Sequence, residues 1–268
     1  MRALAATSAW AELPSTRRAG RLVERNLMVY RRTWMVIFSG FYEPLFYLLG
    51  IGLGLGSLVG SVTGPNGHPI AYSIFVAPAL MASAAMNGAI YDSTTNIFFK
   101  LRYAHTYDAV LSTPVAVGDV ALGEVTWALI RGSIYAAGFV VIMTLLGLVT
   151  SPWGILALPG AVLIGFAFAA VGMAVTTWVR KWQDFDMLQL VLMPLFLFSA
   201  TFFPLNAYPA PLQVVVALTP LYHGVDLLRG LTTGTLGPGM VVDVAYLLAM
   251  GGLGLAVVSR RLRLLLLQ

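Results

Sequence analysis

The sequence predicts an all-α integral membrane protein. Six transmembrane helices follow an N-terminal amphipathic helix at the membrane interface, and re-entrant helices fill the outer segment between spans five and six. Three observations predict this. Of 268 residues, 59% are hydrophobic and 10% charged, against roughly 45–50% and about 25% in soluble domains. The apolar runs approach the roughly 20 residues that a helix needs to cross a hydrocarbon core, longer than the roughly ten-residue alternating strands of a membrane barrel. The basic residues, finally, fall almost entirely on one side of the implied spans.

The elements follow in order. Residues 1–33 form a cytoplasmic N-terminus without an early apolar stretch, so no cleaved signal peptide is expected. Within it Val23, Leu27, Tyr30 and Trp34 recur at i, i+4, i+7 and i+11, one helical face, with Arg18, Arg21, Arg25 and Arg32 opposite. Such a helix lies in the interface plane with its arginines toward water or anionic headgroups. The membrane domain, residues 34–259, holds six apolar stretches: Trp34–Leu58, Ile70–Tyr91, Gly132–Val149, Ile155–Val179, Met187–Phe203 and Met240–Val258. Residues 260–268 form a basic tail.

Two connections stand out. The cytoplasmic loop 92–131 mixes polar and aromatic residues, and a short helix over Asn96–Ser112 would expose Phe98, Phe99, Leu101 and Tyr103. Pro114 stops that helix, and Asp119 can cap a second one leading into the third span. The outer segment 204–239 is apolar yet cut by Pro204, Pro209, Pro211 and Pro220, so Leu212–Leu218 and Leu221–Leu231 are too short to cross. Irregular backbone at membrane depth must be buried in protein or line a cavity, which points to two short helices dipping into the outer leaflet.

Orientation rests on charge. Seven arginines precede the first span, and Lys100, Arg102 and Arg131 flank the second loop. Arg180 and Lys181 follow the fourth span, and Arg260, Arg261 and Arg263 follow the sixth. Only Arg229 of the 16 basic residues falls on the other side, so both termini are expected in the cytoplasm. No cysteine is present, which excludes disulfides and thiolate chemistry, and the three histidines are too far apart to read as a metal motif. Neither Lys100 nor Lys181 sits in a GxxxxGK[ST] phosphate loop, so no ATP site of that type is expected. The positive charge is accounted for by orientation, without nucleic acid.

The six spans, the preceding amphipathic helix, the loop sequence LSTPVAVGDVALGE and the outer PLNAYPAPLQVVVALTPLYHGVDLLRG together resemble the permease subunits of type-2 ABC exporters, over nearly the whole chain. VERNLMVYRRTWMVIFSGFYEPLFYLLGIGLGLG and MNGAIYDSTTNIFFKLRYAHTYDAVLSTP are most similar to the branch of nodulation-factor (lipo-oligosaccharide) and daunorubicin-type exporters. Many members open the cytoplasmic loop with acidic residues and a Gly-Thr pair, whereas this chain has Asp92 and Asn96. The resemblance implies a bacterial plasma-membrane protein with a second copy or a related permease as partner. It also implies a separate cytoplasmic ATPase that carries ATP and Mg, and outward movement of drugs or lipid-linked glycans. It assigns the reception of ATPase motion to the amphipathic helix and the region 96–112, hence to Arg21, Arg25, Phe98, Phe99, Lys100, Arg102, Tyr103, Tyr107 and Asp108. It places the first and fifth spans at the dimer interface.

Glu43 is the one carboxylate well inside a predicted span, about 13 Å past Trp34 and near the midplane of a core about 30 Å thick. A charge there costs about 2.5–3.5 kcal/mol, so Glu43 is expected to be protonated, paired or facing a wet cavity. Phe38, Tyr42 and Phe46 flank it, and Phe196, Phe198 and Phe202 lie in the fifth span; an aromatic path of this kind would suit an amphipathic or lipidic cargo. Gly50, Gly52, Gly54 and Gly56 offer close helix approach. Asp243 is expected to stay wet, and Asp226 and Arg229 to pair across three residues. The alternative function is a secondary transporter or channel without an ATPase, which normally places several ionisable groups near the midplane. A membrane-embedded enzyme would need a converging set of reactive groups, and no predicted span contains a histidine.

Overall fold

The computed structural model describes residues 15–32, 42, 45–104 and 106–266. Helix α1, Thr16–Arg32, is the expected amphipathic helix, but its packing face differs from the expected one. Ala19, Leu22 and Asn26, at i, i+3 and i+7, are buried, while Leu27, Met28 and Val29 are more than half exposed. The helix therefore docks through Ala19, Leu22 and Asn26 and carries Leu27, Met28 and Val29 on its exposed side.

Helix α2, Leu45–Val59, opens into a π-helical turn over Leu48–Leu55. It is the later part of the first predicted span. Of the glycines there, Gly52 packs against Leu48 and Val76, while a side chain at Gly50 would meet open space. A hairpin of β1, Ser61–Thr63, and β2, Pro69–Ala71, follows, antiparallel with Ser61 opposite Ala71. Gly60 and Gly67, at φ +74° and +75°, supply the left-handed turns at its two ends.

Helix α3, Tyr72–Arg102, runs 31 residues, 11 beyond the predicted end at Tyr91. It continues because a π turn over Asp92–Asn96 carries the backbone on into Ile97–Arg102. A short helix α4, Thr106–Leu111, follows and ends before Pro114. Helix α5, Val117–Leu145, has 29 residues, about 43 Å at 1.5 Å per residue. It begins 15 residues ahead of the expected third span, so much of the supposed cytoplasmic loop is the first four turns of this helix. Asp119 caps it from inside, accepting the Ala116 N–H at 2.9 Å.

Helix α6, Ala157–Thr176, occupies the centre and packs against α3, α5 and α10, Gly239–Leu266. Helix α7, Asp184–Leu197, covers the start of the fifth predicted span; at about 21 Å it is shorter than the core. Helices α8, Ala210–Leu218, and α9, Pro220–Thr233, meet at an 85° bend. Thr219 makes that corner by accepting the Tyr222 N–H on its hydroxyl at 3.4 Å while Pro220 occupies the first helical position. Among the described residues, four helices are long and apolar enough to span a membrane (α3, α5, α6 with its preceding turn, and α10), and five if the bent pair counts as one.

Candidate functional site

On the side bearing the arginine-rich ends, four charged or polar side chains from four separate elements converge. Glu124, on α5, is buried, and its Oε2 accepts Lys100 Nζ of α3 at 2.7 Å and Asn26 Nδ2 of α1 at 3.3 Å. Lys100 Nζ also lies 3.5 Å from Asn26 Oδ1. Tyr107, on α4, is buried beside them; burial first, then the Glu124 carboxylate, pushes its phenol well above the usual range, with Arg25 opposing. One carboxylate thus gathers groups from α1, α3, α4 and α5.

Two further buried carboxylates fix the surroundings. Asp119 holds the start of α1, accepting the Ser15 N–H at 2.6 Å and pairing with Arg18 Nε at 2.6 Å. Asp92, in the π turn, forms a buried ion pair with Arg131 of α5. Small residues allow this closeness: a Cβ on Gly123 would lie 2.8 Å from Leu22 Cβ and 3.1 Å from the Ala19 carbonyl. The π turn also frees the Ser93 carbonyl, which lies 3.0 Å from the Thr176 hydroxyl. Charges this deep are tolerated because each has a partner.

The expected exposed aromatics separate into two classes. Phe98 is buried, edge-on to Phe185 at 5.2 Å and near Trp182 at 6.3 Å, because the extra length of α3 turns it against the α6–α7 connection. Leu101 is half-buried. Phe99 and Tyr103 are 54% and 60% exposed and stack on one another at 5.9 Å, with Arg102 exposed beside them. Arg21 is exposed and pairs with Glu24 at 2.9 Å. The Asp108 side chain lies outside the described residues, as do Phe38 and Glu43.

The remaining pathway candidates take part in four ring contacts. Tyr42 and Phe46 stack at 6.1 Å, both exposed on the single chain. Tyr47 meets Phe196 edge-on at 6.3 Å, and Phe196 meets Phe202 at 5.1 Å, so the two predicted spans do touch through rings. Phe198 faces Tyr208 at 6.4 Å.

At the opposite end two expectations change. Arg229 is buried and donates to the carbonyls of Phe75 at 3.2 Å and Ala200 at 2.9 Å, its guanidinium 3.8 Å above the Phe75 ring. It ties α9 to α3 and to the end of α7 instead of pairing with Asp226. Asp243 is not wet: it is buried, with its Oδ1 2.7 Å from His223 Nδ1. Among the described residues no group of three metal-binding side chains occurs.

The family description ABC-2 type transporter matches residues 18–232. Nodulation protein J of Rhizobium meliloti (strain 1021) is 32% identical over 213 residues, 79% of this chain and 79% of the relative. The same-named protein of Rhizobium leguminosarum bv. trifolii is 33% identical over 212 residues, 78% of this chain and 79% of its own length. A probable doxorubicin resistance ABC transporter permease protein, DrrC, of Mycobacterium tuberculosis (strain CDC 1551 / Oshkosh) is 25% identical over 270 residues, 93% of each chain.

Proposed function

The chain belongs to the ABC-2 type transporter family, and from that premise we propose that it moves an amphipathic cargo outward across the bacterial plasma membrane as the permease of an ATP-driven exporter. The cargo class is a lipidic, glycan or drug-like molecule. The chain works as a dimer with itself or a related permease above a cytoplasmic ATPase, and ATP and Mg belong to the ATPase rather than to this chain. The observation that carries the reading is the convergence on Glu124. Phe99, Arg102 and Tyr103 are exposed on the last turn of α3 and its end, while Lys100, one residue away, is locked to α1 and α5. A push on the exposed face therefore reaches α5 and the interface helix together.

The topology we propose has both termini in the cytoplasm and six crossings. Helix α2 with the residues before it makes the first, α7 with the residues after it the fifth, and the bent pair α8–α9 re-enters from outside. The cargo path runs between the first and fifth crossings, along Phe38, Tyr42, Glu43, Phe46, Phe196, Phe198 and Phe202. The absence of cysteine makes single-cysteine labelling a direct check: residues at 64–67 and 235–238 label from outside, and residues at 103 and 181 only after permeabilisation.

The function is tested by purifying the tagged chain from native membranes in a gentle detergent and identifying its partners by mass spectrometry. A co-purifying ATPase with a phosphate-binding loop is the expected result. Repeated recovery of an intact dimer without any ATPase would overturn the exporter reading.

A further inference from the structure

Two apolar helices end side by side on the face bearing the arginine-rich ends. The apolar stretch of α6 stops at Thr176 and that of α10 at Arg261, and the two helices pack against each other. Beyond α6 the chain turns, and Val179 is buried against Phe98 and Phe185. The residues on either side of that anchor, Trp178 and Trp182, are left about half exposed. Phe185 holds the Trp182 ring edge-on at 5.6 Å. Arg261 lays its guanidinium over the Trp178 ring, 4.8 Å from the centroid, and its Nε is buried without a hydrogen-bond partner.

The cations of this rim have no counter-charge of their own. Arg180, Lys181 and Arg260 are exposed, and no ion pair among the described residues uses these three or Arg261. Asp184, in the same turn, is engaged by the backbone, accepting the N–H of Arg180 at 2.8 Å and of Lys181 at 3.0 Å. Asp186 is exposed on α7. Four basic side chains thus stand against two carboxylates. Helix α10 adds an apolar strip that leads to them: the exposed Leu253, Val257 and Arg260 recur at i, i+4 and i+7, on one helical face.

We infer that Arg261, stacked on Trp178 and surrounded by Arg180, Lys181 and Arg260, binds the phosphate of an anionic phospholipid whose acyl chain lies along Leu253 and Val257. A guanidinium covered on one face by an indole keeps its N–H edge for phosphate oxygens, which it can take two at a time. A buried donor without an acceptor is costly, and a phosphate removes that cost. Tryptophan at the end of a span sits at headgroup level. The excess of positive charge favours a lipid without a cation in its headgroup. A soluble phosphate would use the cations but leave the apolar strip and the indoles idle, so the lipid fits more of the site.

The test needs neither cargo nor ATPase and uses the full-length chain in phosphatidylcholine liposomes. Phosphatidylglycerol with brominated acyl chains is added in rising mole fraction, with brominated phosphatidylcholine as reference, and the loss of tryptophan fluorescence is recorded. Each chain is read against its own Trp178→Phe version, which isolates the ring at the site. Half of the Trp178 quenching should be reached at about a fivefold lower fraction of phosphatidylglycerol than of phosphatidylcholine, the effect of one basic side chain at a charged membrane surface. Arg261→Gln should bring that ratio close to unity, whereas Arg17→Gln, an equal change of charge at an exposed position of α1, should leave it unchanged. Equal quenching by the two lipids in the parent chain would overturn the site without any charge variant having to fold. A preference abolished by inorganic phosphate at constant ionic strength would also overturn it, by making the ligand a soluble anion. So would an Arg261→Gln chain that keeps the preference but loses a co-purifying ATPase, which would make the rim a protein contact.

Discussion

Replacing Lys100 with Met, Glu124 with Leu, and both together tests whether the buried node is one unit. At 2.7 Å and an effective dielectric constant of about 20, the bare attraction is about 6 kcal/mol, most of it cancelled by desolvation. The two single variants should differ. The Glu124 side chain is 2% exposed and the Lys100 side chain 13%, so Lys100→Met strands a carboxylate that cannot reach water and costs about 3–5 kcal/mol. Glu124→Leu frees a lysine whose long stem can swing its ammonium outward, at about 1–2 kcal/mol by the lower range for a lost charged hydrogen bond. The double variant should be milder than the sum by about 1–3 kcal/mol. The assay is reversible unfolding of the purified full-length chain in mixed micelles of increasing denaturing detergent, followed by tryptophan fluorescence. Additivity within about 0.5 kcal/mol, or equal costs for the two single variants, would refute the reasoning.

Two more outcomes follow from neighbouring residues. Phe98→Ala should cost about 3–5 kcal/mol by the same assay, as a buried ring removed from a packed site does; Phe99→Ala should stay within about 0.5 kcal/mol yet reduce recovery of the ATPase, and equal effects of the two on stability would contradict the separation seen here. Arg229→Met removes the donor from the Phe75 and Ala200 carbonyls, at about 1–3 kcal/mol for each buried group left unpaired. A variant as stable as the parent would show that water replaces the guanidinium there.

The general architecture was legible because two signals act over long stretches. Apolar runs located the helices Tyr72–Arg102, Val117–Leu145, Pro152–Thr176 and Gly239–Leu266 near their expected places, and the arginine pattern located α1. The site was only half legible. Resemblance names Lys100, Arg25 and Tyr107, and the sequence offers Asp119 as a helix cap, which it is; Asp92 and Arg131 carry no site role there, and Asn26 and Glu124 go unmarked. Starting the third span at Gly132 left Glu124 in a supposed wet loop. The usable signal was local: Val120, Ala121, Val125, Trp127 and Ala128 surround Glu124, and all five prove buried. Its partners lie 24 and 98 positions away, which no spacing rule connects. Asp243 misled for a similar reason, since its histidine sits on an element that had been read as separate from the last span.

The π turn in α3 turns that helix into a screw with a built-in extra thread. A π turn closes its hydrogen bonds over one more residue than an α turn. Converting Asp92–Asn96 to regular α-helix would therefore offset everything beyond it by one residue, about 100° of rotation and about 1.5 Å of advance. Phe98 would leave its place against Phe185, Lys100 would leave Glu124, and Phe99 would swing inward. The Asp92–Arg131 ion pair and the Ser93–Thr176 contact grip the turn where the thread changes. They resist that rotation, so the exposed tip of α3 and its membrane-embedded shaft keep the angular setting that this structure displays.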